Sequence, residues 1–137
     1  MIITLSEQAS LDLLSVASVG RFGFLHDDQI QIIPVNYQLH GSDIVVRTTA
    51  DGVLSTLPHA DGPVSFQVDH QDGNRGVGWS VLMHGSVEAM DPDQVSAIED
   101  PTRVIPWAGG TRELHLRFRP ASVSGRRVRR ERDDAGD

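Results

Sequence analysis

The chain has 137 residues, 39% hydrophobic and 23% charged, which suits one globular domain with a single core and leaves little room for a second. It has no cysteine, and its 12 basic residues are all arginine, so disulfides, thiolate metal sites, a cysteine nucleophile, a Schiff base and a lysine-dependent phosphate loop are excluded. A formal net charge of -7 argues against nonspecific nucleic-acid binding, and without a run of ~20 apolar residues or a signal-peptide pattern a cytoplasmic location is expected.

In chain order, Leu5-Ser6-Glu7-Gln8-Ala9 reads as a helix start, with Ser6 as N-cap, Glu7 in the first turn and Leu11 and Leu14 as the apolar stripe; Gly20 ends it. The period then changes. Residues 21–25 form a short strand, Asp27-Asp28 a turn, and residues 30–37 a longer strand with Ile30 and Ile32 at alternating positions. The turn around His40-Gly41-Ser42-Asp43 leads to a third strand over 43–49. Residues 52–59, with Leu54 and Leu57 three apart, suit a short helix stopped at Pro58.

A fourth strand follows over 63–69, where Val64, Phe66 and Val68 share one face. The polar, glycine-rich link 70–76 precedes a long strand over 79–90, in which Gly85 marks a bulge or a close backbone approach. Asp91-Pro92 pairs an N-cap acid with proline at the first helical position, so a brief helix spans 91–99. Residues 101–110, with Pro106 and Trp107, read as a loop. A strand over 113–119, with Leu114, Leu116 and Phe118 alternating, ends before Pro120, and a last short strand lies near Val123. Six or seven short strands with small helices at their connections describe a mainly β, antiparallel barrel over residues 1–125, followed by a charged tail over 126–137 that is solvated or docks a partner.

The chemistry-bearing residues gather on two of these strands. An apolar strand ending in Arg47-Thr48-Thr49 offers a guanidinium fork and two hydroxyls to a phosphate, and its neighbour, broken by Pro34, leaves backbone groups to face a planar ligand. A flat, phosphorylated cofactor fits that pair.

An ordered set of short motifs runs along the chain: Val19-Gly20-Arg21, Pro34-Val35-Asn36-Tyr37, Arg47-Thr48-Thr49, Phe66-Gln67-Val68-Asp69, Gly78-Trp79-Ser80-Val81 with Gly85, and Ser124-Gly125-Arg126-Arg127. In this the chain resembles the pyridoxamine 5'-phosphate oxidase-like superfamily of FMN-binding split barrels, in its small single-domain branch. The resemblance implies a homodimer holding FMN in clefts at the subunit interface, with redox chemistry at the flavin ring and an oxidoreductase activity. It also implies Arg47, Thr48 and Thr49 at the phosphate, Val35 and Asn36 at the ring edge, Tyr37 and Leu54 as further cofactor-binding residues, and Trp79 and Ser80 approaching from the barrel wall or the partner subunit. Trp107 would line the substrate side. The family usually places a lysine shortly after the Arg-Thr strand, and here that position is Val53. Related split barrels use a deazaflavin or haem, and a non-enzymatic, weakly flavin-binding module is the reading Val53 favours.

Read without the resemblance, each residue has a plainer role. Arg47 pairs with a surface carboxylate, Trp79 anchors the core, and Asn36 and Tyr37 satisfy nearby backbone. His70, beside Asp69 and Asp72, is either a proton donor at a cofactor edge or simply solvated, and no catalytic residue is assigned. His84 and His115 meet across a sheet at most as a pair, too few for a metal, and Ser80 lacks a nucleophile elbow. The substrate and the direction of electron flow have no readable motif.

Overall fold

The computed structural model describes residues 1–98 and 113–130. The chain opens with strand β1 (Ile2–Leu5) and helix α1 (Glu7–Leu13), whose N-cap Ser6 accepts the amide of Ala9 at 3.1 Å, as the sequence indicates. Strands β2 (Val19–His26), β3 (Gln29–His40) and β4 (Asp43–Thr49) follow, then a 3-10 helix (Val53–His59). Next come β5 (Val64–Asp72), β6 (Val77–Ala89), α2 (Pro92–Ser96) and β7 (Glu113–Arg129). No helix among the described residues is long and apolar enough to cross a membrane.

All pairings are antiparallel, in the order β1-β7-β4-β3-β2-β5-β6, and β6 pairs β7 to close the sheet into a barrel. Local chemistry fixes the turns. Asp27 and Asp28, with φ of 50° and 61°, make the two-residue turn between β2 and β3, a geometry that aspartate tolerates better than most residues. Asp91 and Gln94 form a capping box ahead of Pro92, so α2 starts where expected.

Several expectations change: α1 ends at Leu13, and Gly20, expected to end it, lies within β2. The strand β1 was not anticipated; it pairs Ile2 to Leu5 with the distant Val128 to Gly125, a partner no local pattern shows. Pro120 does not end a strand, because β7 runs through it, and the register shifts between His84 and Gly85 so that Ala121 is extra. A Cβ on Gly85 would lie 2.0 Å from the Arg119 carbonyl oxygen, so the close approach demands glycine there. Arg126, Arg127 and Arg129, read as tail, sit in β7 between β1 and β6. Pro58 lies inside its short helix rather than stopping it. The loop 101–110 with Trp107, Glu99 and residues 131–137 lie outside the described residues.

Inside the barrel, Phe22, Phe66 and Phe118 are fully buried, with Phe22 and Phe66 edge to face at 4.8 Å. Gly20 admits the Phe66 ring, which a Cβ would meet at 2.5 Å. Tyr37 joins this cluster, 5.6 Å from Phe66, and its hydroxyl donates to the Leu14 carbonyl. Ile30 and Ile32, by contrast, face outward and are 77% and 66% exposed; Ile33, Val35, Tyr37 and Leu39 are the residues of β3 that turn toward the core.

Candidate functional site

Strand pairing creates the site by stopping. The β3–β4 ladder covers only Tyr37↔Val46 to His40↔Asp43. Beyond it β3 continues on β2, with Pro34 opposite Arg21 and Asn36 opposite Val19, whereas Arg47 to Thr49 continue on β7. The two strands therefore splay into a cleft of about 410 Å³, a volume within the range of small-molecule sites.

Proline suits that edge. The Tyr37 amide donates to Ser18, on the β2 side, and N–H direction alternates along a strand, so position 34 would aim its N–H at the gap where no partner strand lies. Pro34 removes a donor that the ladder does not use, and Asn36 directs its own N–H the same way.

One wall of the cleft carries Pro34, Val35 and Asn36; the other carries Arg47, Thr48, Thr49 and Glu113, and Leu54 from the 3-10 helix forms the floor. Gly52 lets the chain turn tightly behind the threonines, since a Cβ there would approach the Thr49 hydroxyl at 3.2 Å. The Arg47 Nη1 lies 3.6 Å from Glu113 Oε1, with both side chains about a quarter exposed, at 28% and 27%. His115, opposite Arg47 in the ladder, has Nε2 buried without a hydrogen-bond partner among the described residues. Burial, with a smaller push from Arg47 and against the pull of Glu113, lowers its pKa below the usual histidine value, so it is neutral at pH 7.

Of the residues expected at a cofactor, the structure brings together Val35, Asn36, Arg47, Thr48, Thr49 and Leu54. It places Tyr37 in the core instead, where burial raises its phenol pKa to about 12. Trp79 continues the inward row of Val81 and Met83, half-buried against the core, with its ring 6.2 Å from that of His70. Ser80 faces the other way, into a second concavity of about 550 Å³ on the outer face of the sheet. There Arg126 Nε reaches Ser80 Oγ at 3.4 Å, and Arg21 donates to Gln67 at 2.6 Å and Asp69 at 3.0 Å. Neither Trp79 nor Ser80 shares the Arg47 cleft within one chain. His84 bonds Ser65 and lies opposite Ser122, so it does not meet His115. Val53 is half-buried against the core and Leu54 takes its place at the cleft. Glu113 went unread because only the Thr49↔Glu113 register connects it with the site.

The residues present suit a phosphorylated planar ligand. Arg47, Thr48 and Thr49 line it together, and Val35 and Leu54 give apolar surface. A mainly β barrel closed by β6 and β7 yet parted between β3 and β4 is a split barrel.

The chain belongs to the pyridoxamine 5'-phosphate oxidase family, whose model matches residues 6–127. It is 28% identical over 133 residues to the uncharacterized protein Rv0080 of Mycobacterium tuberculosis, covering 93% of this chain and 86% of that protein. The FAD-binding protein of Mycobacterium smegmatis superposes with a TM-score of 0.78 at 25% identity, covering 94% of this chain and 100% of that one. An FAD- and haem-binding protein of the same organism shares the fold, with a TM-score of 0.72 at 16% identity over 98% of this chain and 77% of its own.

Proposed function

We propose that this protein is a cytoplasmic, homodimeric flavin-nucleotide-binding oxidoreductase that holds FMN in the cleft between β3 and β4. The observation that carries the reading is the convergence of Arg47, Thr48 and Thr49 with Val35, Asn36 and Leu54 at one break in the sheet. Arg47 and the threonine hydroxyls hold the phosphate, and the flavin ring lies along Val35 with its edge toward Asn36. When bound, the flavin supplies hydride or electron transfer, and the protein contributes orientation and polarity around the ring. The outward row of Leu25, Ile30 and Ile32, together with Leu82 across the sheet, supports a dimer face, because exposed apolar clusters of this kind mark interaction surfaces.

A binding protein that holds flavin, deazaflavin or haem without turnover is the second reading. It is favoured by Val53 where the family usually has lysine, and by a carboxylate beside the only arginine lining the cleft among the described residues. The absorbance spectrum of the purified protein, before and after added FMN and desalting, tests the first. Flavin bands that stay with the protein support it, and Arg47→Ala is expected to weaken FMN binding about 10- to 100-fold, the loss of roughly 1.5–3 kcal/mol of charged hydrogen bonding. Unchanged FMN affinity in that variant would remove the phosphate assignment.

A further inference from the structure

We infer that Glu113 is a specificity-determining residue that sets how much negative charge the cleft accepts, disfavouring phosphorylated flavins relative to uncharged ones. The inference rests on the reading of this cleft as a flavin-nucleotide site. Arg47 and Glu113 are the only charged side chains lining the cleft among the described residues, and they stand 3.6 Å apart. Neutral His115 beside them adds no charge at pH 7. Among the described residues, this carboxylate offsets the charge of the guanidinium at the cleft.

An anion drawn to Arg47 arrives within a few ångströms of the Glu113 carboxylate. Both side chains are largely shielded from solvent, so that repulsion is only partly screened. A phosphate monoester such as that of FMN carries close to two negative charges near neutral pH, its second pKa being about 6. Each phosphate of a pyrophosphate diester, as in FAD, carries one. Riboflavin has none. Coulomb energy scales with charge and falls with distance, so the penalty imposed by Glu113 is largest for the monoester, somewhat smaller for the pyrophosphate, whose second charge stands farther from the carboxylate, and absent for riboflavin.

Register makes the carboxylate a fixed part of the wall rather than a wandering surface group. Thr49↔Glu113 and Arg47↔His115 are ladder partners, so Glu113 lies diagonal to Arg47 on the same face of the β4–β7 pair.

The test is isothermal titration of the full-length wild type, Glu113→Gln and Arg47→Ala with FMN, FAD and riboflavin at neutral pH. Glutamine keeps size and polarity and removes only the charge. In Glu113→Gln, FMN and FAD are each expected to bind about three- to tenfold more tightly, FMN at the upper end, and riboflavin unchanged, while Glu113→Asp keeps the wild-type ranking. Equal tightening of all three ligands, or no change, would overturn the charge role. Weaker FMN binding in Glu113→Gln would show instead that the carboxylate holds Arg47 in place for the phosphate, and would overturn it too. If Arg47→Ala left FMN binding unchanged, the flavin-nucleotide reading itself would fall; if Arg47→Ala weakened FMN while Glu113→Gln did nothing, only the present inference would.

Discussion

Strands β3 and β4 behave as two different objects along their length. Where Tyr37 to His40 meet Asp43 to Val46, they share a ladder, and Tyr37, Ile44 and Val46 are sealed into the core. Where Pro34 to Asn36 face Arg47 to Thr49, they part, and polar side chains collect in the opening. The same two strands thus supply both stability and a site, and the difference lies in where hydrogen bonding between them ends. Residues in the paired half are expected to act on folding, and residues in the parted half on ligand affinity.

The strongest way to break that division is in the core against which the paired half packs. Phe66 is fully buried and touches Phe22, Tyr37 and Phe118, so Phe66→Ala is expected to destabilise the protein by about 3–5 kcal/mol, read by urea unfolding. A loss below about 1 kcal/mol would mean that the barrel interior is not the stabilising unit.

Tyr37 sharpens the comparison, because sequence motifs placed it at the cofactor and the structure places it in the core. Tyr37→Phe removes the hydroxyl's bond to Leu14 and is expected to lower stability by about 1–2 kcal/mol while leaving FMN affinity unchanged. Its raised pKa adds a pH signature. The unfolded phenol ionises near 10 and the folded one near 12, so the stability this residue contributes is intact below pH 10 and lost as pH rises from 10 toward 12. The Phe variant should lack that alkaline transition. A large fall in FMN affinity would return Tyr37 to the site.

The smallest expected effect falls at the boundary between the halves. His115 is held neutral in the fold, so the unfolded chain binds its proton more readily, and its contribution to stability is present above the ordinary histidine pKa and lost as pH falls below about 6.5. His115→Gln is expected to flatten the decline of Tm between pH 7 and pH 5. An unaltered slope would mean that His115 is solvated in both states.

Turn and cap chemistry was the legible part of this fold. Ser6, Asp27-Asp28, Gly85 and Asp91-Pro92 each impose geometry through their own atoms, and each appears where the residue types require it. The family and the split barrel were legible in the order of the motifs. The cleft was legible in its β3 and β4 residues because Pro34 and Arg47-Thr48-Thr49 carry their chemistry locally. What could not be read depended on partners far along the chain. β1 exists only against β7, Pro120 is tolerated only because a bulge faces Gly85, and Glu113 reaches Arg47 only through the β4–β7 register. Ile30 and Ile32 mislead in the other direction, since alternating apolar residues usually mark the core side, and here they mark an outer, exposed face.

Pro34 has a consequence for what the opening refuses. Two parted strands present facing rows of unused backbone, the arrangement into which a stray extended peptide inserts as an additional strand. A peptide entering beside β3 would find an interrupted row at Pro34 and only a short stretch before β3 and β4 rejoin at Tyr37 and Val46. The gap is therefore proofed against strand addition while staying open to a compact ligand, which lets the barrel keep a permanent breach in its wall without becoming a template for aggregation.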